Sequence, residues 1–359
     1  MTDGAPRQQQ QHRQQQKVAR VQSTASGLVL IDKTQGWTSH DAVARTRRLA
    51  NTRKVGHAGT LDPMATGLLI LGINSSTRLL TYVVGLDKEY LATIRLGAST
   101  TTDDAEGELL ESAAPGAVEA LNADAIRAEI AKLTGDIEQA PSSVSAIKVD
   151  GKRAYALVRA GEDVQLPKRP VTVSTFELIS STGVDGYLDL SVRVVCSSGT
   201  YIRALARDLG AALGVGGHLT SLRRTRIGPF SVADAPTLDD LDMSTALIGP
   251  ADAATLLFPR LDLSAEQTID LGHGKRIELD AGQPASVPIA AIAPDGRLVG
   301  LIERRGNSSK VLVNFPPDEP GPPALSSEQA APSGQAAPND TAANPQAHTQ
   351  TTTNEDSAE

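Results

Sequence analysis

Three segments of strand-like pattern set the strongest limit on what this chain can fold into. EYLATIRLG (89–97) alternates apolar and polar residues, and VTVSTFELI (171–179) and YLDLSVRVVC (187–196) read as two further strands joined by a turn at Gly183–Gly186. A period of two places every second side chain on one face of a sheet. In 89–97 that face carries Tyr90, Ala92, Ile94 and Leu96. GLVLID (27–32) is a shorter apolar strand, and LLILGI (68–73) is a buried strand or the start of a helix, since so short a run has no decisive period. Helical patterns lie between the strands. Thr38 and Asp41 make a capping-box-like start for a helix through Val43, Arg47 and Ala50. Ile126, Ile130 and Leu133 share a helical face that Gly135 ends, and YIRALARDLG (201–210) turns Ile202, Leu205 and Leu209 inward. The elements mix without a strict βαβ rhythm, which predicts an α+β fold rather than a doubly wound sheet.

The 359 residues suffice for about two domains. Both ends are set apart by composition. Residues 1–26 hold Gln tracts, and 316–359 hold eight prolines and no aromatic residue. Neither can bury enough apolar surface to offset its ordering entropy, so both are expected to be disordered tails. Residues 236–261 read as a linker with helical pieces. Beyond them KRIELD, SVPIAAIA, RLVGLIERR and KVLVNF, with turns at Asp280–Gly282 and Asp295–Gly296, predict a small β-rich domain at 262–315, marginal alone and helped by docking. No apolar run is long enough to span a membrane, and the Gln-rich start lacks a signal core, so a cytoplasmic location is expected. The single cysteine, Cys196, fits a reducing compartment and excludes both an intrachain disulfide and a multi-Cys zinc site.

The net charge of −8 argues against a nucleic-acid partner, but its distribution weakens that argument. Seven acids and no Lys or Arg fall in 316–359, while bases cluster at 45–54, 148–169 and 203–226. Clustered cations make a phosphate footprint even on an acidic chain; equally, they are solvated helix faces.

The densest segment is Gly56-His57-Ala58-Gly59-Thr60-Leu61-Asp62-Pro63-Met64-Ala65-Thr66-Gly67. Its glycines let a loop press against a ligand. It lacks the Gly-Lys-Ser/Thr of a P-loop and the Rossmann spacing, and no His or Cys stands at metal-ligand spacing, so no metal is expected. The residues alone also allow a plainer reading, with Asp62-Pro63 as a turn and His57 as a surface loop residue.

GHAGTLDPMATG (56–67) closely resembles the Asp-bearing signature of the TruB family of tRNA pseudouridine synthases. GLVLIDKTQGWTSHD (27–41) is similar to that family's amino-terminal motif, and Asp87-Lys88-Glu89-Tyr90 to its Lys-x-Tyr motif. CSSGTYIR (196–203) resembles its Arg-bearing strand-to-helix motif, and HLTSLRRTRIGPF (218–230) its closing motif. The five stand in the family's order across 27–230. Two scaffold positions depart from it: Thr34 stands where the family usually has Pro, and Pro141-Ser142 replaces a Pro-Pro pair.

The resemblance implies a mixed, largely antiparallel sheet in a catalytic domain at 27–235, with 139–170 as an insertion that closes over RNA. It implies a PUA-like RNA-binding domain at 262–315. The implied reaction converts the uridine at position 55 of the tRNA T loop to pseudouridine, an isomerisation that needs no cofactor. The base would be flipped out of the stack to react. Asp62 would be the nucleophile, with Arg203 as its counter-cation. Tyr90 would stack on the uracil and help remove the C5 proton, aided by Arg203 or another cation; it also suits core packing on its strand. His57 would take part in stacking within the disrupted T loop. Tyr201 and Leu222 match positions that contact the target nucleotide, and both suit core packing as well. Lys33 would hold the active-site loop or a phosphate, and Lys152 would contact RNA from the insertion. The partner would be the tRNA T-arm, the protein a monomer without an obligate protein partner. Two alternatives stand beside this reading, a guide-RNA-dependent relative and a tRNA-folding factor.

Overall fold

The computed structural model describes residues 25–142, 167–233, 235–280 and 282–318, together with the backbone of 148–149 and 152–153. The tails outside 25–318 and the side chains of 143–166, Lys152 among them, lie outside the described residues. Among the described residues no helix is long and apolar enough to cross a membrane.

The first part of the chain gives strands β1 (Gly27–Lys33), β2 (Val55–His57), β3 (Thr66–Ile73), β4 (Lys88–Leu96), β5 (Ala98–Thr100), β6 (Leu109–Ser112) and β7 (Gly135–Gln139). The short pair β8 (Lys148–Val149) and β9 (Lys152–Arg153) follows. Next come β10 (Arg169–Val184), β11 (Tyr187–Cys196), β12 (Gly217–Ile227), β13 (Phe230–Ser231) and β14 (Leu247–Ile248). The last four are β15 (Arg260–Asp262), β16 (Ile289–Ile292), β17 (Leu298–Arg305) and β18 (Ser308–Asn314). The helices are α1 (Ser39–Leu49), α2 (Leu80–Val84), α3 (Ala123–Lys132), α4 (Ile202–Ala212), α5 (Pro250–Leu257) and α6 (Ala265–Gly272).

The large sheet runs β14-β1-β3-β12-β4-β11-β10-β7, with β2 paired to β3 and β13 to β12. All its pairings are antiparallel except β12 with β3. The fold is thus α+β, built on a mixed and mostly antiparallel sheet. The β10–β11 hairpin closes through Asp185 and Gly186, both at positive φ, the conformation a two-residue turn of matching twist requires. Thr38 caps α1, and its side chain and that of Asp41 form a reciprocal capping box.

The sheet has an apolar core on each face. Val29, Ile31, Leu69, Leu71, Ile94 and Leu205 belong to one. Leu28, Leu68, Ile70, Leu79 and Ala253 belong to the other. This resolves LLILGI as strand β3. Its side chains are buried on both sides of the sheet, so the run is continuously apolar instead of alternating.

Residues 236–261, expected to be a linker, are built into the fold. Leu238 and Leu241 enter the first core, Ala253 and Ala254 of α5 the second, and β14 adds a strand beside β1. The C-terminal strands form a separate sheet in the order β15-β16-β17-β18. Ala290, Ile292, Leu298, Leu301 and Phe315 pack into the second core together with Leu68 and Ile70, so this sheet shares the body's core. KRIELD, expected to be a strand, makes one isolated bridge, Glu278 to Ser308. Helix α6 precedes it, started by a capping box of Ser264 and Gln267 that the strand pattern concealed.

Candidate active site

The Gly-rich segment becomes the loop between β2 and β3, and three fastenings hold it. Ser39, at the start of α1, donates its Oγ–H to the Leu61 carbonyl (3.1 Å) and accepts from the Leu61 N–H (3.0 Å). Lys33, at the end of β1, is fully buried and donates to the carbonyls of Trp37 (2.7 Å), Pro63 (3.2 Å) and Thr34 (3.3 Å). Arg224, in β12, donates to the carbonyls of Leu68 (2.8 Å), Gly59 (3.2 Å) and Thr60 (3.5 Å). Gly67 opposes Arg224 across the parallel β12–β3 contact at φ +97°, and a Cβ there would lie 2.2 Å from the Arg224 carbonyl oxygen. Glycine is therefore required at the loop's exit.

The loop presents Asp62 to Arg203 in the first turn of α4, with Arg203 Nε 3.1 Å from Asp62 Oδ2. Arg203 is 8% exposed and Asp62 38%. A pair so open on one side adds little to stability; its consequence is geometric, a carboxylate held at a fixed place and still reachable. Arg203 is itself held from behind, by the Thr102 carbonyl (2.9 Å) and by the buried carboxylate of Asp104 (3.4 Å). Gln139 clamps the start of α4, accepting from the Tyr201 N–H (2.8 Å) and donating to the Tyr201 carbonyl (3.0 Å).

Asp62, Lys88, Tyr90, Tyr201, Arg203, Leu222 and Arg224 line one cleft of about 300 Å³. That is the low end of the range for small-ligand sites and suits one flat ring. Tyr90 is buried on β4 and stands in register with Arg224 of β12. Burial pushes its phenol up from its ordinary pKa, and the charge of the Arg224 guanidinium pulls it back. Lys88 is also buried, its amine capped by the carbonyls of Val84 (2.8 Å) and Leu86 (2.5 Å). Desolvation, reinforced by Arg224, lowers its pKa to about 8. Burial raises the Tyr201 phenol.

Five of the residues singled out from sequence therefore meet in one place: Asp62, Tyr90, Arg203, Tyr201 and Leu222. Lys33 lies beneath the loop and its donors go to backbone carbonyls, which makes it a loop fastener in this structure. His57 ends β2 outside the cleft wall, with the His40 ring edge-on at 6.0 Å. Burial, then the nearby His40, lowers its pKa. Lys88, Asp104 and Arg224 were not singled out as site residues. In the sequence Arg224 stood out only as one base of the 203–226 cluster and of the closing motif.

The 203–226 group of bases is largely committed inside the protein. Arg207 pairs with Asp103 (3.3 Å) and Asp208 (2.9 Å), and Arg223 grips Asp32 at 2.9 and 2.7 Å. With Arg203 and Arg224 also engaged, this cluster offers much less free charge to phosphates than the sequence suggested.

Residues 47–202 match the family described as TruB family pseudouridylate synthase (N terminal domain). Residues 203–260 match the tRNA pseudouridylate synthase B C-terminal domain, and 258–316 match tRNA Pseudouridine synthase II, C terminal. The tRNA pseudouridine synthase B of Leifsonia xyli subsp. xyli is 65% identical over 295 residues, covering 82% of this chain and 98% of that protein. The protein of the same name from Arthrobacter sp. is 55% identical over 306 residues, covering 82% and 99%. Among solved structures, a Cbf5-Nop10-Gar1 complex aligns with TM-score 0.60 and 26% identity over 82% of this chain and 87% of that chain. An H/ACA RNP bound to a substrate RNA containing 2′-deoxyuridine aligns with TM-score 0.59 and 25% identity over the same shares. The match runs along nearly the whole length of these relatives, and the chain belongs to the TruB family of pseudouridine synthases.

Proposed function

We infer that this chain is a tRNA pseudouridine(55) synthase, an isomerase acting on the T loop. The observation that carries the chemical reading is the Asp62–Arg203 pair at 3.1 Å, at a cleft that also holds Tyr90. In the reaction the bond from uracil N1 to ribose C1′ breaks, the base turns, and a bond from C5 to C1′ forms. The C5 proton leaves and N1 gains one, so atoms and electrons balance without a co-reactant.

Asp62 is the nucleophile of this reading. Its carboxylate lies against the Arg203 guanidinium at 3.1 Å and stays open to a bound base on its other side. Tyr90 stacks on the uracil and takes the C5 proton; Tyr201 and Leu222 complete the walls of a flipped-base pocket. His57, outside the cleft wall, contacts the T loop from which the base is drawn. Lys152 contacts RNA from the 139–170 insertion. The catalytic domain spans 27–235, the PUA-like domain 262–315, and the enzyme works in the cytoplasm as a monomer on the tRNA T-arm. The near-complete coverage of relatives named tRNA pseudouridine synthase B supports a stand-alone enzyme over a guide-dependent one.

The test is incubation of the purified chain with an unmodified tRNA transcript, without other RNA or protein, followed by mapping of pseudouridine. Modification at position 55 alone is expected. A need for added RNA or protein would favour the guide-dependent alternative, and tight binding with no modification would favour a folding factor.

A further inference from the structure

Arg224 has the largest side chain among those fully buried, at 1% exposure. Its guanidinium is satisfied by three carbonyls, and among the described residues no carboxylate forms an ion pair with it. Its neighbours in the same basic stretch differ: Arg203, Arg207 and Arg223 each face an acid. Carbonyls satisfy donors but leave the charge uncancelled, so a net positive charge lies inside the site wall. Burying such a charge is costly, and a fold that only needed the loop tied down would do as well with a neutral donor.

We propose that Arg224 is a positioning residue for the isomerisation: its uncancelled charge favours the phenolate of Tyr90, the form able to accept a proton, while its fork fixes the loop that presents Asp62. The proposal rests on the roles inferred above for Tyr90 and Asp62. Three arrangements support it. Strand register sets Arg224 opposite Tyr90 on one side and opposite Gly67 on the other, so one residue stands beside both the phenol and the exit of the nucleophile loop. Arg203 cannot serve both functions, because its fork is occupied by Asp62, Asp104 and the Thr102 carbonyl. Cys196 and Asp62 oppose ionisation of the phenol, while the other cations lining the cleft are engaged elsewhere, Lys88 with the Val84 and Leu86 carbonyls and Arg203 with Asp62 and Asp104. The same charge bears on Lys33, Lys88 and His57, where it disfavours the protonated form. Tyr90 first gives its phenolic proton to solvent. After the C5–C1′ bond forms, the phenolate Oη takes the C5 proton and becomes phenol again, the C5–H electron pair restores the C5=C6 double bond, and N1 gains a proton. A cation beside Oη favours the phenolate-like oxygen this step needs.

The test uses the full chain with Arg224→Gln, which keeps donors for the carbonyls and removes the charge, and Arg224→Lys, which keeps the charge and removes the fork. Tyr90 is titrated by its tyrosinate absorbance, isolated by subtracting the Tyr90→Phe variant, and single-turnover rates are followed against pH. Arg224→Gln is expected to raise the Tyr90 transition by about one pH unit or more. It should slow turnover by about 100-fold with little change in tRNA affinity. Arg224→Lys should leave the Tyr90 transition near its wild-type position, and in the Tyr90→Phe background Arg224→Gln should cost far less than in the wild type. Equal effects of Gln and Lys on the Tyr90 transition, or none from Gln, would overturn the proposal and leave Arg224 a loop fastener. If Arg224→Gln unfolds, the Lys variant decides alone, since any large Tyr90 shift with the charge retained rejects the electrostatic role. Wild-type turnover in Tyr90→Phe would instead reject the role of Tyr90; the titration reads the influence of Arg224 regardless.

Discussion

Asp62 and Lys88 face the same cleft under opposite electrostatic conditions. Asp62 is half-open and has a guanidinium behind it, while Lys88 is buried with carbonyls around its amine. Asp62→Asn keeps the shape of the side chain and removes its nucleophilicity, so pseudouridine formation should vanish while tRNA binding stays within a few-fold. Quantified pseudouridine from the pure variant checks this, and product above background rejects the assignment. Lys88 makes a prediction on pH. Its folded pKa of about 8 lies below the ordinary 10.5, so between these values the unfolded chain holds the extra proton. Stability should therefore rise with pH across that window, as the cost of burying a charged amine is relieved, by on the order of 1–3 kcal/mol. Below pH 8 the cost is present in full. Denaturant melts at pH 7.5 and 9.5 should show this gain in the wild type and lose it in Lys88→Met; parallel pH profiles would sink the idea.

At the scale of elements, what matters is how secondary structures end on the loop. The α1 capping box was readable because Thr38 and Asp41 stand three residues apart, and a cap depends on nothing more distant. That the next residue, Ser39, bolts α1 to the Leu61 backbone was not readable, since the two segments meet only once β1 and β3 have paired. Ser39→Ala leaves a buried N–H and C=O of Leu61 without that partner. It should cost about 1–3 kcal/mol of stability. It should also slow single turnover more than it weakens tRNA binding, because Leu61 adjoins Asp62. Thermal melts and single-turnover rates check this; a fall in affinity with unchanged turnover would mean that the contact serves RNA binding.

At the scale of the whole fold, residues 25–318 share a core that the C-terminal strands complete. The sheet of β15–β18 completes a core that β1 and β3 begin, and the chain is clasped where it enters and leaves. The Asp318 carboxylate accepts from both the N–H (2.7 Å) and the hydroxyl (2.5 Å) of Ser26. The sequence alone suggested 27–315 as a sufficient body, which cuts this clasp on both sides. A chain of 25–318 should therefore melt higher than one of 27–315, by roughly the 1.5–3 kcal/mol of charge-assisted hydrogen bonds, with both modifying the same uridine. Equal melting temperatures would show the clasp to be dispensable.

The strands 89–97, 171–179 and 187–196, the α1 cap, the turn at Gly183–Gly186, which the structure narrows to Asp185 and Gly186, and the ordered motifs were legible because each depends on residues close in the chain. The resemblance that those motifs carry named Asp62, Tyr90 and Arg203 before any fold was known. Other features depend on partners brought together by strand order. LLILGI was ambiguous until both its faces were covered, 236–261 looked like a linker until β14 and α5 found β1 and the second core, and Arg224 was one base among several until β12 set it between Tyr90 and Gly67. Sequence by itself determined the strands, cap and turn named above, since backbone preference is a local property, and its motifs pointed to the residues proposed for the chemistry. Only the tertiary structure decided which cation stands beside which acid or phenol, because burial, register and uncancelled charge exist only after distant segments pack.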